Sequence, residues 1–331
     1  MSRLLHFPGT LLPRLARLAL LAPAFLIWPQ LAQAAWPERP VRMVVPYAAG
    51  GGADNTARAV GQRLSELLGQ PFVIENRPGA GGVLGADAVA KAAADGYSLL
   101  FDASAFGVNV ALRKLPYDPA NDFIPISLVV TAPQILLVNA ASPYKTLADV
   151  IAAAKKSPGK LSFGNAGAAT GSHLAAEVMI DQAKIDLLHI PFKGGAPAMT
   201  DLIVGTIDLY FANASSALPQ ITGGKRRPLA VTSRQKIAAL PATPTISEAG
   251  LNDYEMLEWN GIFLPKNTPK DVVERLAKTV QEAIAEPKLR ERLMQSGLNP
   301  VGNTPQAFGK FVDSESRRWQ ALMKTRGIKI D

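Results

Sequence analysis

The chain has 331 residues, with 35 Lys and Arg against 27 Asp and Glu, three His and no Cys. The missing thiols exclude cysteine nucleophiles, iron–sulfur clusters, Cys-containing zinc sites and disulfide scaffolds. A hydrophobic content of 48% against 19% charged residues is that of a globular protein, and the length suggests about two domains.

Residues 1–34 read as a secretory signal peptide. Arg3, Arg14 and Arg17 precede an apolar run from Leu18 to Ile27, and Ala32-Gln33-Ala34 supplies small residues for cleavage. The run is too short to span a membrane, which takes roughly 20 apolar residues, and no Cys is present to carry a lipid anchor. Cleavage after Ala34 removes three Arg and no acidic residue from the formal charge of +8, which leaves +5 on 297 residues. The expected product is soluble and exported. Its basic residues are scattered rather than clustered among aromatics, so no nucleic-acid partner is expected. The densest group, Lys225-Arg226-Arg227, reads as solvated surface after the Gly223-Gly224 turn.

Strand and helix signals then alternate. Val41–Val45 predicts a buried strand. Ala57, Val60, Leu64, Leu67 and Leu68 share one face of a helix that Gly69 stops. Phe72–Glu75 is a second strand, Ala86–Ala94 a short helix and Ser98–Phe101 a third strand. This βαβαβ order predicts a parallel sheet covered by helices. The rhythm restarts near residue 135. Thr146 and Asp149 form a helix-capping signal. Leu161–Phe163, Leu187–Pro191, Ile207–Phe211 and Leu229–Val231 are strands, with helices over Leu174–Met179 and Ala198–Val204. Thr268-Pro269 predicts an N-cap followed by Pro at the first helical position, before the stripe Val272, Leu276, Val280 and Ile284. Thr304-Pro305 repeats the signal before Phe308, Phe311, Val312, Trp319 and Leu322. Phe123–Asn139 and Tyr254–Leu264 lack helix signals and are the natural crossings between domains.

Four loops follow strand ends. Pro46 to Asp54 carries three consecutive glycines before a helix, so its backbone can approach a ligand and its free N–H groups suit an anion. It matches neither a phosphate-binding Walker loop nor a dinucleotide fingerprint. A plain Gly-rich turn, with Asp54 as a helix-start residue, fits equally well. Gly164 to His173 repeats the arrangement in the second half: one of Thr170 and Ser172 can cap the helix while the other faces a ligand. Asp102 to Gly107 places Ser104 at a carboxyl strand end, where open α/β sheets bind ligands. In Phe211 to Ser216, Asn213 can bond a ligand or cap the next helix.

Catalysis is hard to assemble. His173 adjoins Ser172, which is poor geometry for a Ser–His pair; there is no G-x-S-x-G elbow, and no spacing suggests a metal. His189, in Leu187-Leu188-His189-Ile190, reads as a packed core residue. Lys193 can attract an anion or stay solvated. No enzyme activity, cofactor or metal is expected.

These residues carry a resemblance. Trp36-Pro37-Glu38-Arg39-Pro40-Val41, Pro46 to Asp54, Glu75-Asn76-Arg77-Pro78-Gly79-Ala80-Gly81-Gly82, Leu115-Pro116-Tyr117-Asp118-Pro119, His189 to Ala198 and Leu229-Ala230-Val231-Thr232-Ser233 occur in the order found in the Bug (TctC) family. These are the periplasmic solute-binding proteins of tripartite tricarboxylate transporters, and the chain resembles them over its whole mature length. The resemblance implies an α/β, two-lobed Venus-flytrap fold of the periplasmic binding proteins (type II-like), a small di- or tricarboxylate or aromatic carboxylate in the cleft, and delivery to membrane permease subunits by a monomer. Lobe 1 is expected over 35–134 plus 256–331 and lobe 2 over 135–255. Tyr47, Ala49, Gly51 and Asp54 would anchor one carboxylate, largely through backbone N–H groups and water. Ala168, Thr170, Ser172 and His173 would close from the other lobe, and Ser104 and Asn213 would shape the pocket. The chain departs from common family forms at Asp102–Phe106, and at Ala169, where Gly is frequent. Phe106 would line an apolar pocket or pack in the core. A periplasmic sensor for a signalling partner, or an exported α/β hydrolase using Ser172 or Ser104, are the alternatives.

Overall fold

The computed structural model describes residues 36–112 and 114–326; the signal peptide read from residues 1–34 lies outside them. The first half of the chain runs β1 (Val41–Val45), α1 (Gly52–Leu68), β2 (Phe72–Asn76), a 3-10 turn (Ala80–Gly82), α2 (Val83–Ala90), β3 (Ser98–Ala103) and α3 (Ala105–Leu112). β2 and β3 flank β1 and both pair with it in parallel, as the βαβαβ order predicts. Gly69 ends α1 in the left-handed conformation, its N–H bonded to the Ser65 carbonyl. α2 stops at Ala90, short of the expected Ala94, where the Ala92 N–H tightens onto the Val89 carbonyl.

The second half contains α4 (Leu147–Lys156), β5 (Ser162–Asn165), α5 (Gly171–Ala183), β6 (Leu188–Pro191), α6 (Gly195–Val204), β7 (Leu209–Asn213), α7 (Ala214–Thr222) and β8 (Arg226–Val231). Thr146 and Asp149 form the expected reciprocal capping box on α4. β5 lies between β6 and β7, parallel to both.

The two stretches without helix signals are strands, and they join the halves. β4 (Phe123–Asn139) pairs antiparallel with β9 (Leu257–Pro265) through Pro133, then with β7 from Gln134 onward. The sheet order is therefore β2-β1-β3-β9-β4-β7-β5-β6, with β8 and the short β10 (Asn299–Pro300) on β4. The change of partner is pinned at Gln134. Its N–H donates to Thr232 Oγ1 at 2.8 Å and its carbonyl accepts the Thr232 N–H, while the Met256 N–H reaches the Thr232 carbonyl.

The remaining elements are α8 (Lys270–Ala285), α9 (Pro287–Gln295) and α10 (Pro305–Arg326). Val272, Leu276, Val280 and Ile284 are all buried, in one core with β1, β3 and α1. Full burial of such a side chain contributes roughly 1.5–3 kcal/mol. α8 begins one residue later than expected, because Thr268 Oγ1 donates to the Pro265 carbonyl instead of capping, which leaves Pro269 at the N-cap. α10 bridges the two halves. Phe308 packs with Phe106, Phe123, Trp259 and Phe263, whereas Trp319 and Met323 join the core of Leu136, Leu174 and Met179.

Two local expectations are corrected, and a third, left open, is decided. His189 is not a core residue: β6 ends the sheet, leaving Leu188 exposed and His189 half-buried with Nε2 3.4 Å from Glu177 Oε1. Arg226 and Arg227 are not a solvated run. The Arg226 guanidinium is buried against the Met199 carbonyl, and Arg227 donates to the carbonyls of Ala140, Ser142 and Tyr144. Phe106 packs in the aromatic core, its ring 4.3 Å from Phe263 and 5.2 Å from Phe123.

Candidate functional site

A cavity lies where the two halves of the sheet meet. Tyr47, Gly51, Gly52, Ala53, Gln134, Ala166, Thr170, Ser172, Gly195, Tyr210, Asn213 and Glu258 line it. It is about 30 Å³ in volume, room for roughly two waters. Tyr47 and Ala166 also line an adjoining cavity of 250 Å³ that reaches Gly81, Ala168 and Lys193.

Three helices start at the first cavity: α1 at Gly52, α5 at Gly171 and α6 at Gly195. None is capped by a side chain. The first N–H groups of a helix have no partner within it, and the helix dipole makes that end positive. Three such ends around one small space offer the geometry that suits an anion held by backbone. At Gly52 and Gly81 the glycine permits the close approach: a Cβ on Gly52 would stand only 2.5 Å from Asn213 Cβ, and one on Gly81 2.2 Å from the Ala168 carbonyl oxygen. A backbone bond from the Ala48 N–H to the Lys193 carbonyl joins the halves beside them.

The residues expected at the site divide into two groups. Tyr47, Gly51, Thr170, Ser172 and Asn213 line the cavity. Thr170 Oγ1 donates to the Gly167 carbonyl at 2.6 Å, and Ser172 Oγ accepts the Ala166 N–H at 2.8 Å. They shape the loop before α5, so neither hydroxyl caps the helix in the expected way. Ala169 in that loop has φ +66° and is fully buried, a conformation that is uncommon without glycine. Asn213 takes the capping role foreseen for it, Oδ1 accepting the Ser215 N–H at the start of α7, and its Nδ2 donates to Glu258 in the cavity wall.

The second group stands outside the cavity lining. Ala49 is exposed, and Ala168 borders the adjoining cavity. Ser104 Oγ accepts the Trp259 N–H at 3.0 Å, tying β3 to β9. Asp54 is buried with both oxygens occupied, by the Gly50 N–H, Arg58 and Asn76. Burial alone would raise its pKa, but the bonds from Arg58, Gly50 and Asn76 hold it below the usual carboxylate value. It fixes the glycine loop from behind. His173 turns to Glu177, with Nε2 3.3 Å from Oε1, and its ring lies 5.1 Å from that of His189.

Four lining residues were not foreseen: Gln134, Gly195, Tyr210 and Glu258. Gln134 interrupts the apolar run Ile135–Val138 of β4 at its start, and Glu258 is the one acidic residue of β9; such polar residues in otherwise apolar strands are the signal that could have found them. Glu258 Oε2 accepts amide N–H bonds from Gln134 at 2.6 Å and Asn213 at 2.8 Å. Burial pushes its carboxyl above the usual value against the pull of those bonds. Nearby, the Tyr47 hydroxyl donates to Asp102 Oδ1 at 2.8 Å, and burial pushes Asp102 up to about 7.

Residues 56–328 match the model of the tripartite tricarboxylate transporter family receptor, TctC. A protein encoded in the tcbD–tcbE intergenic region of Pseudomonas sp. strain P51 is 40% identical over 87% of each chain. The solved periplasmic binding protein BugD is 39% identical, with a TM-score of 0.86 over 89% of this chain and 99% of its own. R. palustris Rpa4515, solved with adipate, is 35% identical with the same TM-score and coverage. The fold is thus that of the two-lobed periplasmic binding proteins, and solute binding rather than catalysis is its activity. The chain belongs to the tripartite tricarboxylate transporter receptor family.

Proposed function

We propose that the protein, exported to the periplasm and cleaved near Ala34, captures a small carboxylate between two lobes and presents it to the permease subunits of a tripartite transporter. The observation that carries this reading is the convergence of the uncapped N-termini of α1, α5 and α6 on one cavity. A carboxylate oxygen accepts several backbone N–H groups at once, and bonds to a charged group are about twice as strong as neutral ones. The Rpa4515 complex with adipate supports the same ligand class. Lobe 1 takes 36–134 plus 256–326 of the described residues and lobe 2 takes 135–255. The lobes rotate about the crossings at Gln134 and at Thr232–Met256, with α10 strapped across both. The receptor works as a monomer.

A thermal-shift screen tests the ligand class. Carboxylates should raise the melting temperature, because a ligand that binds only the folded state stabilises it by about 2.7 kcal/mol at 100 times its Kd. Sugars, polyamines and divalent cations should give no shift. A shift with one of these and none with any carboxylate would overturn the assignment.

A further inference from the structure

Glu258 is the only charged side chain among the residues lining the cavity. An acid in a pocket built to hold an anion is unexpected, and its bonding is one-sided. Both amides, Gln134 and Asn213, donate to Oε2, while among the described residues no donor reaches Oε1. Oε1 is nevertheless not among the sealed, partnerless polar atoms of the described residues, so it stays accessible. Gly171, at the start of α5, lies against the same side chain: a Cβ there would stand 3.2 Å from Glu258 Cβ. The cavity therefore sets one accessible acceptor against a wall of backbone donors. A ligand carboxylate on the helix ends is well placed there. A second ionised carboxylate pressed against Glu258 meets like charge in a poorly solvated space. A hydroxyl, amide or ammonium at that point gains a charge-assisted bond instead.

We propose that Glu258 selects, among carboxylates, those bearing a hydrogen-bond donor one or two atoms from the carboxylate. The short reach follows from the small cavity, where anion site and Glu258 share walls. Gln134 and Asn213 hold the Glu258 side chain at the crossing between lobes, so the donor is met as the cleft closes. This inference rests on the carboxylate reading and narrows it.

Titration calorimetry on the full chain, with two matched sets of ligands, tests it: propanoate, lactate and malonate, then hexanoate, 2-hydroxyhexanoate and adipate. The hydroxy acid should bind at least about tenfold tighter than both companions in the set that fits, one strong hydrogen bond being worth that much. Glu258→Gln removes the charge while keeping the shape, and should erase the preference over the diacid. Wild-type protein that binds malonate or adipate as tightly as the hydroxy acid overturns the proposal, with no need of the variant. So does an unchanged order of affinities in Glu258→Gln. Diacid binding should tighten as pH falls towards the carboxyl range, because a proton on Glu258 or on the facing ligand carboxylate removes the like charge; diacid binding that does not tighten would contradict it equally. Binding of none of the six would count against the carboxylate reading itself and take this inference with it.

Discussion

Gly52→Val should weaken ligand binding by at least about 100-fold while the unliganded protein melts within a few degrees of the wild type. A Cβ at Gly52 would lie 2.5 Å from both Cβ and Cγ of Asn213, a separation real Cβ atoms do not tolerate. Asn213 has little freedom to yield, since it caps α7 and bonds Glu258. The added side chain must therefore hold the N-terminus of α1 away from β7. Overpacking of this kind costs about 1–3 kcal/mol, to which the lost N–H contacts to the ligand add; about 2.8 kcal/mol is a 100-fold change. On the proposed boundaries Gly52 and Asn213 lie in different lobes, so opening would relieve the clash and leave the fold intact. Gly51→Ala is the matching control: its Cβ would meet nothing nearer than the Ala48 carbonyl at 3.4 Å, and affinity should stay within a few-fold. Calorimetry on both variants checks the pair. Equal affinities for Gly52→Val and wild type would remove the glycine loop from the site.

Asp102→Asn should stabilise the protein above neutral pH and leave it unchanged in acid. The folded-state value of about 7 lies above the ordinary 3.8, chiefly through burial. The folded state thus keeps its proton where the unfolded state has lost it, and stability falls as pH rises from about 4 to about 7 before levelling. At 1.36 kcal/mol per unit the loss is on the order of 4 kcal/mol. Asn keeps the oxygen that accepts from Tyr47 and from the Ala103 N–H, so the bonds survive without the charge. The difference in melting temperature between variant and wild type should be near zero at pH 4 and reach several degrees at pH 8. A difference independent of pH would show that Asp102 ionises in the fold as it does in water.

The framework was largely legible because it rests on local signals. The period of the α8 stripe, the Thr146–Asp149 box and Gly69 each act within one or two turns, and the structure follows them. β4 and β9 were legible only as helix-free crossings, since their strand character depends on pairing across more than 100 residues. The glycine loop and Thr170, Ser172 and Asn213 stood out by composition. Glu258 and Gln134 did not, because an isolated polar residue in an apolar run acquires a role only when the fold brings α1, α5, α6 and β7 around it. His173 and Asp54 lie in the expected loops, but sequence does not say which way a side chain turns. His173 faces Glu177, and Asp54 faces its own loop.

The proposed closure of two lobes on a carboxylate would turn on the crossings at Gln134 and Thr232–Met256. Small-angle X-ray scattering tests it most directly, on the full chain with and without a carboxylate that raises its melting temperature. A smaller radius of gyration is expected at saturation, with no such change for Gly52→Val at the same ligand concentration. An identical radius with and without saturating ligand would contradict it.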